Sequence, residues 1–195
     1  MKRIALSDLK EKLKSMSALS AQDVRDNFSN LSKTQLEWQP NDKSWSIGQC
    51  LEHLNAYFRY YLPVFKGKIS NSRFREPVDY FNSSPLGVAV YRSVKLGKVK
   101  NVKRKLKSPK EYNPLVNEAL MTDNAVAEFL EHQLAFDDVI EEATQINLRK
   151  TKCPLSLRPV VKLNLGDALV YMSYHIERHI EQAKKVKNLS GFPKA

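Results

Sequence analysis

Cysteine is scarce in this chain. Cys50 and Cys153 are the only two among 195 residues. They stand far apart and form no Cys-x-x-Cys, so a disulfide scaffold is not expected and a reducing cytoplasm is the simpler setting. Long apolar runs are missing as well. None approaches the roughly 18–20 residues that a membrane span needs, and Met1-Lys2-Arg3-Ile4-Ala5-Leu6 has no apolar core of a secretory signal. Hydrophobic residues make up 42% of the chain, which is ordinary for a globular protein. The length suits one domain with a sizeable core and does not require two. The expectation is therefore a single domain over residues 1–195.

Acidic residues are missing from one stretch only. Between Lys66 and Lys110 there are thirteen Lys or Arg against Glu76 and Asp79, whereas the rest of the chain carries nineteen basic and nineteen acidic groups. The whole net charge of +11 thus sits in that segment. Its densest part, Arg92 to Lys110, holds nine basic residues and no acid. Such a run can meet phosphates, an acidic membrane surface or an anionic substrate, or it can be a solvated loop. No helix-turn-helix, zinc-finger or RNA-binding signature accompanies it, so any nucleic-acid binding is expected to be unspecific.

Helical periodicity marks four segments. Leu9, Leu13, Met16, Val24, Phe28 and Leu31 recur at steps of three or four, and Ser20-Ala21-Gln22-Asp23 resembles a capping box that would divide this region into a short helix and a longer one. Ser46-x-x-Gln49 is a second such box. It opens a helix with Ile47, Cys50, Leu51, Leu54, Tyr57, Phe58, Tyr61 and Leu62 on its apolar face. A third helix is predicted from about Thr122 to Ala143, and a fourth from an N-cap at Asn164 to about Asn188. Residues 67–118 are punctuated by Gly and Pro and read as a long irregular basic insert. A short helix or strand is placed around Leu86 to Val94, with Leu86, Val88, Val90 and Val94 tying it to the core. The fold class predicted is all-α, a four-helix bundle with a long crossover connection between helices two and three.

The chain has four histidines, and three of them carry its main chemical signal. His175 and His179 stand four apart in the fourth helix, so their Cβ atoms share a face roughly 5–6 Å apart. His53 lies at the margin of the apolar stripe of the second helix. Imidazole is a favoured ligand of zinc, nickel and iron, and a catalytic site commonly uses three protein ligands with one position open. Spacing alone leaves open whether His53 joins the other two, or whether all three are interior histidines with ordinary hydrogen bonds. Cys50, one turn before His53, is a ligand, a redox-sensitive thiol or a small buried hydrophobe. His132 reads as a boundary residue. Asp137 and Gln133 sit nearer the inward stripe of the third helix, and Asp137 is either an exposed acid at the stripe's edge or an orienting partner for a ligand histidine. Tyr57, Tyr60, Tyr61, Tyr171 and Tyr174 cluster in sequence around the candidate ligands.

Two motifs extend the argument. Trp38-x-Pro40 followed by Trp45-Ser46-Ile47-Gly48-Gln49-Cys50-Leu51-Glu52-His53-Leu54 resembles the opening of the DinB-like (YfiT-like) family. His175-Ile176-Glu177-Arg178-His179-Ile180-Glu181-Gln182 is similar to its closing helix. The resemblance covers about residues 20–66 and 122–188 and leaves the loops unmatched. It implies a four-helix bundle holding one divalent metal ion through His53, His175 and His179, with zinc or nickel ahead of iron. It also implies a metal-dependent hydrolase or a thiol-dependent S-transferase, acting on a small-molecule substrate with a low-molecular-weight thiol such as bacillithiol as the candidate partner. A homodimer is compatible with this reading. The rival expectation is a non-enzymatic binding protein that uses the basic 66–110 segment to contact anionic partners. The general base and the substrate are not legible.

Overall fold

The structure, a computed structural model, describes residues 3–99 and 107–194. Four long helices dominate it: α1 (Leu6–Phe28), α3 (Ile47–Ser70), α5 (Ala125–Ala143) and α6 (Leu165–Lys187). Two shorter ones, α2 (Lys33–Glu37) and α4 (Pro85–Val94), lie in the connections. Two small antiparallel strand pairs complete the described residues: β1 (Ile4–Ala5) with β2 (Tyr80–Phe81), and β3 (Lys152–Leu155) with β4 (Arg158–Asn164). The protein is mostly helical with small strand pairs. α3 packs on α5 and α6, α1 packs on the same two helices, and α4 packs on α6.

α1 is one helix, not two. Ser20 and Ala21 fall on its buried stripe with Leu13, Ser17, Val24 and Phe28, so the helix runs straight through the expected cap. The cap that forms lies later, where Ser32 and Gln35 satisfy each other and start α2. Ser46 and Gln49 form the second box as predicted, with N–H···O distances of 2.9 and 3.1 Å. These reciprocal bonds serve end-of-helix donors that have no partner within the helix, and they fix where the rotation of α3 begins. α3 then continues eight residues past Leu62, through Pro63, because Phe65 and Ile69 extend its buried face. Asn164 is the N-cap of α6, but its side chain does not cap; its Oδ1 accepts from Lys152 at 2.5 Å instead.

The segment 67–118, expected to be irregular apart from a short helix or strand around Leu86 to Val94, holds the end of α3, β2, α4 at the expected place and a 3-10 turn, Lys110–Tyr112; a second such turn, Glu118–Leu120, closes it. Within the basic run, Lys100, Lys103, Arg104 and Lys105 lie outside the described residues. α4 is held differently from the expectation. Gly87, Tyr91 and Val94 are its buried residues, Val88 and Val90 pack at the margin, and Leu86 faces solvent. Its start is locked to α6 by one carboxylate. Asp167, fully buried, accepts from the Ser84 backbone N–H at 3.0 Å and from the Ser84 hydroxyl at 2.8 Å, while Ser84 Oγ caps Gly87 N–H at 2.9 Å. A Cβ at Gly87 would lie 2.1 Å from Asp167 Cγ. Glycine is what lets the two elements close.

Gly87→Ala should therefore cost about 1–3 kcal/mol, as overpacking does in tight sites. Gly67→Ala, in α3 with nothing within 4 Å of the added Cβ, should gain about 0.5–1 kcal/mol from the better helix former. Urea denaturation of the two variants measures the contrast. Equal effects would mean that the Ser84–Asp167 joint does not govern how α4 seats.

Candidate metal centre

α3 and α6 face each other along the stripe that carries the three histidines. His53, His175 and His179 are all buried, and one ligating nitrogen from each lies within 4.8 Å of the others. His53 Nε2 and His175 Nε2 are 3.2 Å apart. Two nitrogens bound to one tetrahedral zinc at 2.0–2.1 Å would be separated by roughly 3.3 Å.

The far sides of two rings are fixed by acceptors. The Tyr112 carbonyl takes the His53 Nδ1 proton at 2.5 Å, and Gln182 Oε1 faces His179 Nδ1 at 3.0 Å. A carbonyl oxygen can only accept, so both rings carry their proton on Nδ1 and turn an Nε2 lone pair inward. His175 Nδ1 is buried with no hydrogen-bond partner. If that atom holds the proton, two lone pairs confront each other at Nε2. If Nε2 holds it instead, a buried acceptor is left unserved. A cation between the two Nε2 atoms removes the confrontation. The donor set thus fits a divalent ion, and its second-atom contacts are those that metal-binding histidines commonly make.

Electrostatics favour neutral rings. Burial pushes His53 down to about 4, against the opposing pull of the Tyr112 carbonyl. Burial first, then the neighbouring imidazoles and the Arg178 guanidinium, holds His179 well below the ordinary histidine value; His175 is lowered by burial, His53 and Arg178. Neutral imidazole is the form that binds metal.

Aromatic rings wall the cluster. Trp45, just ahead of α3, stacks on His179 with centroids 5.5 Å apart and reaches His53 at 4.7 Å. Tyr57 lies 4.4 Å from His175, and Tyr171 stacks on the same ring at 5.6 Å. The stretch after the basic run closes one side. The Tyr112 ring meets Tyr57 at 4.5 Å, and Asn113 Oδ1 accepts from Trp45 Nε1 at 3.2 Å. Ten residues further, Thr122 N–H donates to the fully buried Glu52 at 2.9 Å.

Other candidates lie elsewhere. Asp137 pairs with Lys14 at 3.4 Å on the α1 side and orients no histidine; the third helix turns that position toward α1. Gln133 donates to Ser17, and His132 Nδ1 lies 3.3 Å from Asn55 Oδ1. Cys50 is fully buried, burial raises its thiol, and it is not in the histidine group. Cys153 stands in β3, not in a loop, with its thiol pushed up to about 12 by burial. Tyr61 stacks on Tyr57 with centroids 6.1 Å apart and accepts from Ser156 N–H at 3.1 Å, but Tyr174 points to α1, where Lys12 donates to it. Tyr112 and Asn113 were not legible beforehand, since a main-chain carbonyl leaves no trace in residue type.

The DinB superfamily model matches residues 18–183. The chain belongs to the DinB superfamily. The match takes in α3 and α6 and with them all three histidines. No curated protein and no solved structure matches this DinB chain.

Its metal-free stability should depend on pH in a set direction. Below the ordinary histidine value near 6.5, the unfolded chain takes up protons that folded His53 refuses until about pH 4. Stability is then fully present above 6.5 and falls as pH drops toward 4. At about 1.4 kcal/mol per pH unit, the loss is on the order of 3 kcal/mol from His53. Urea midpoints of metal-stripped protein between pH 7 and 4 test this, and a flat profile would contradict neutral burial of the cluster.

Proposed function

We propose that this DinB protein is a metal-dependent enzyme in which His53, His175 and His179 hold one divalent ion, zinc or nickel ahead of iron. The observation that carries this is the convergence of three buried, neutral imidazoles, with the outer nitrogens of His53 and His179 taken up and the Nε2 atoms of His53 and His175 facing each other. Among the described residues no fourth His, Cys, Asp or Glu joins the group. A three-ligand set leaves a coordination position for water or substrate. We read the four long helices as a four-helix bundle and a single domain, with residues 71–124 as the crossover between the second and third of them.

When bound, such an ion lowers the pKa of a coordinated water or thiol and gives a nucleophile near neutral pH. The chain's own residues do the remaining work. Tyr112 and Gln182 hold the tautomers of His53 and His179, and Trp45, Tyr57 and Tyr171 exclude bulk water. Burial raises the Tyr57 phenol, with the neighbouring Tyr61 adding to it. Tyr57 therefore stays protonated at neutral pH and can donate a hydrogen bond to a substrate oxygen, but does not serve as a base. An apolar, aromatic wall suits a small organic substrate, and we favour a low-molecular-weight thiol as the second reactant, in a thiol S-transfer or a hydrolysis. Two reduced, buried cysteines fit a cytoplasmic setting. Homodimerisation is compatible with this scheme.

Metal analysis of untagged protein should return about one ion per chain, and His175→Ala should lose it while keeping its helix content by circular dichroism. Complete unfolding of that variant would instead mark the metal as a structural element, since structural sites supply folding energy directly. Cobalt-substituted protein separates the two chemistries. A thiolate-to-cobalt absorption band on adding a small thiol supports S-transfer, and ester cleavage with no such band supports hydrolysis. Absence of bound metal and of both activities would leave the non-enzymatic reading, with the basic 66–110 segment as the working surface.

A further inference from the structure

On the other side of α6, a second polar group is turned toward different neighbours. Tyr174 precedes His175, and one step around the helix carries its side chain to the seam of α6 with α1 and α4. It is 5% exposed, and its ring faces Tyr91 of α4 at 5.9 Å. Its hydroxyl accepts from Lys12 Nζ of α1 at 2.9 Å. Lys95, the C-cap residue of α4, places its Nζ 4.8 Å from the same ring centroid and within reach of the same hydroxyl. Lys12 Nζ stands 5.2 Å from that centroid. Two ammonium groups from two helices thus meet on one tyrosine oxygen. Among the described residues, no carboxylate forms an ion pair with either.

The donor inventory at this point is one-sided. An ammonium has three N–H donors and no acceptor, and a tyrosine hydroxyl that accepts from lysine still has its own O–H to give. The seam therefore presents donors only. Two like charges, one on the half-buried Lys12 and one on the exposed Lys95, also repel, and the repulsion is relieved when an anion sits between them. Lysine ammoniums with a hydroxyl suit an oxyanion with several acceptor oxygens. Two positive charges match a phosphate group, which carries about −1.5 to −2 at neutral pH.

We propose that Lys12, Lys95 and Tyr174 form an oxyanion site for a phosphate dianion, either inorganic phosphate or the phosphate group of a small ester. The site is separate from the histidines: its lysines come from α1 and the end of α4, and Tyr174 meets Lys12 and Tyr91, whereas His175 beside it in α6 meets Tyr57 and Tyr171. Lys98, exposed just beyond, adds to the local positive potential. The proposal does not depend on the metal reading. An anion here ties α1 to α4 across α6 and offsets part of the net charge of +11.

The test uses the full chain in a phosphate-free buffer. Inorganic phosphate and glycerol phosphate are titrated against chloride at matched ionic strength, following thermal unfolding and calorimetric heat. Saturable stabilisation by phosphate beyond chloride is expected. Lys12→Met and Lys95→Met should each weaken it at least about tenfold, the size of one charge-assisted hydrogen bond, and Tyr174→Phe severalfold. Lys150→Met, at a lysine lying over Phe74 on another face, should leave the affinity within about twofold, the usual spread for a distant site. Tighter binding of glycerol phosphate would identify an ester ligand, and tighter binding of inorganic phosphate the free ion. Unfolding midpoints in chloride establish that each variant is folded. No gain over chloride, no change in folded Lys12→Met, or an equal loss in Lys150→Met would overturn the proposal, the last by showing that anions collect on net charge alone.

Discussion

Three imidazoles buried at one helix–helix contact are the constraint on which the rest of this structure depends. A buried polar ring is costly unless each nitrogen has a use. Along the contact of α3 and α6 the outer nitrogens of His53 and His179 find a carbonyl and an amide, and the inner nitrogens of His53 and His175 are brought face to face. That solution demands a set rotation of α3 and a set height of α6. The Ser46–Gln49 box fixes the first. The second is fixed where α6 begins, by the β3–β4 pair that leads into it and by Asp167 gripping Ser84.

The same constraint explains why the connection after α4 is not a passive link. Without the Tyr112 carbonyl, His53 would lack its acceptor, and without Asn113 the indole of Trp45 would lose its anchor. The aromatic wall and this returning stretch make the histidine environment dry, and dryness holds the rings neutral. The DinB superfamily match spans both the histidines and this returning stretch.

Much of this was visible in the residues, and the parts that were not have physical reasons. Ser46 and Gln49 announced α3, because a reciprocal cap needs those two side chains at that spacing. The pair at His175 and His179 was visible because a helix repeats. The interruption expected at Ser20 failed since tertiary burial of the α1 stripe outweighs a local cap. The extension of α3 past Pro63 was hidden because proline is a break signal that packing of Phe65 and Ile69 overrides. The β3–β4 pair was missed because Pro154 and Pro159 blur its alternation, and its register shifts between Pro154 and Leu155. Of the two readings of Asp137, the acid at the stripe's edge holds, since a helix edge faces two neighbours and here the lysine of α1 claims it.

Two of the points where the stretch after α4 touches α3 are adjacent along that helix: Tyr112 meets His53, and Thr122 meets Glu52. The chain between them therefore leaves and returns to nearly the same place, as an Ω-loop does. Its span is set by that double attachment. Upstream, between the end of α4 and Lys110, none of the described residues makes a hydrogen bond or ring contact with the histidines, and lengthening a loop costs entropy only logarithmically. A lysine-rich stretch can be inserted, enlarged or trimmed there at little thermodynamic penalty. Removing one residue between 112 and 122 would pull the orienting carbonyl off register.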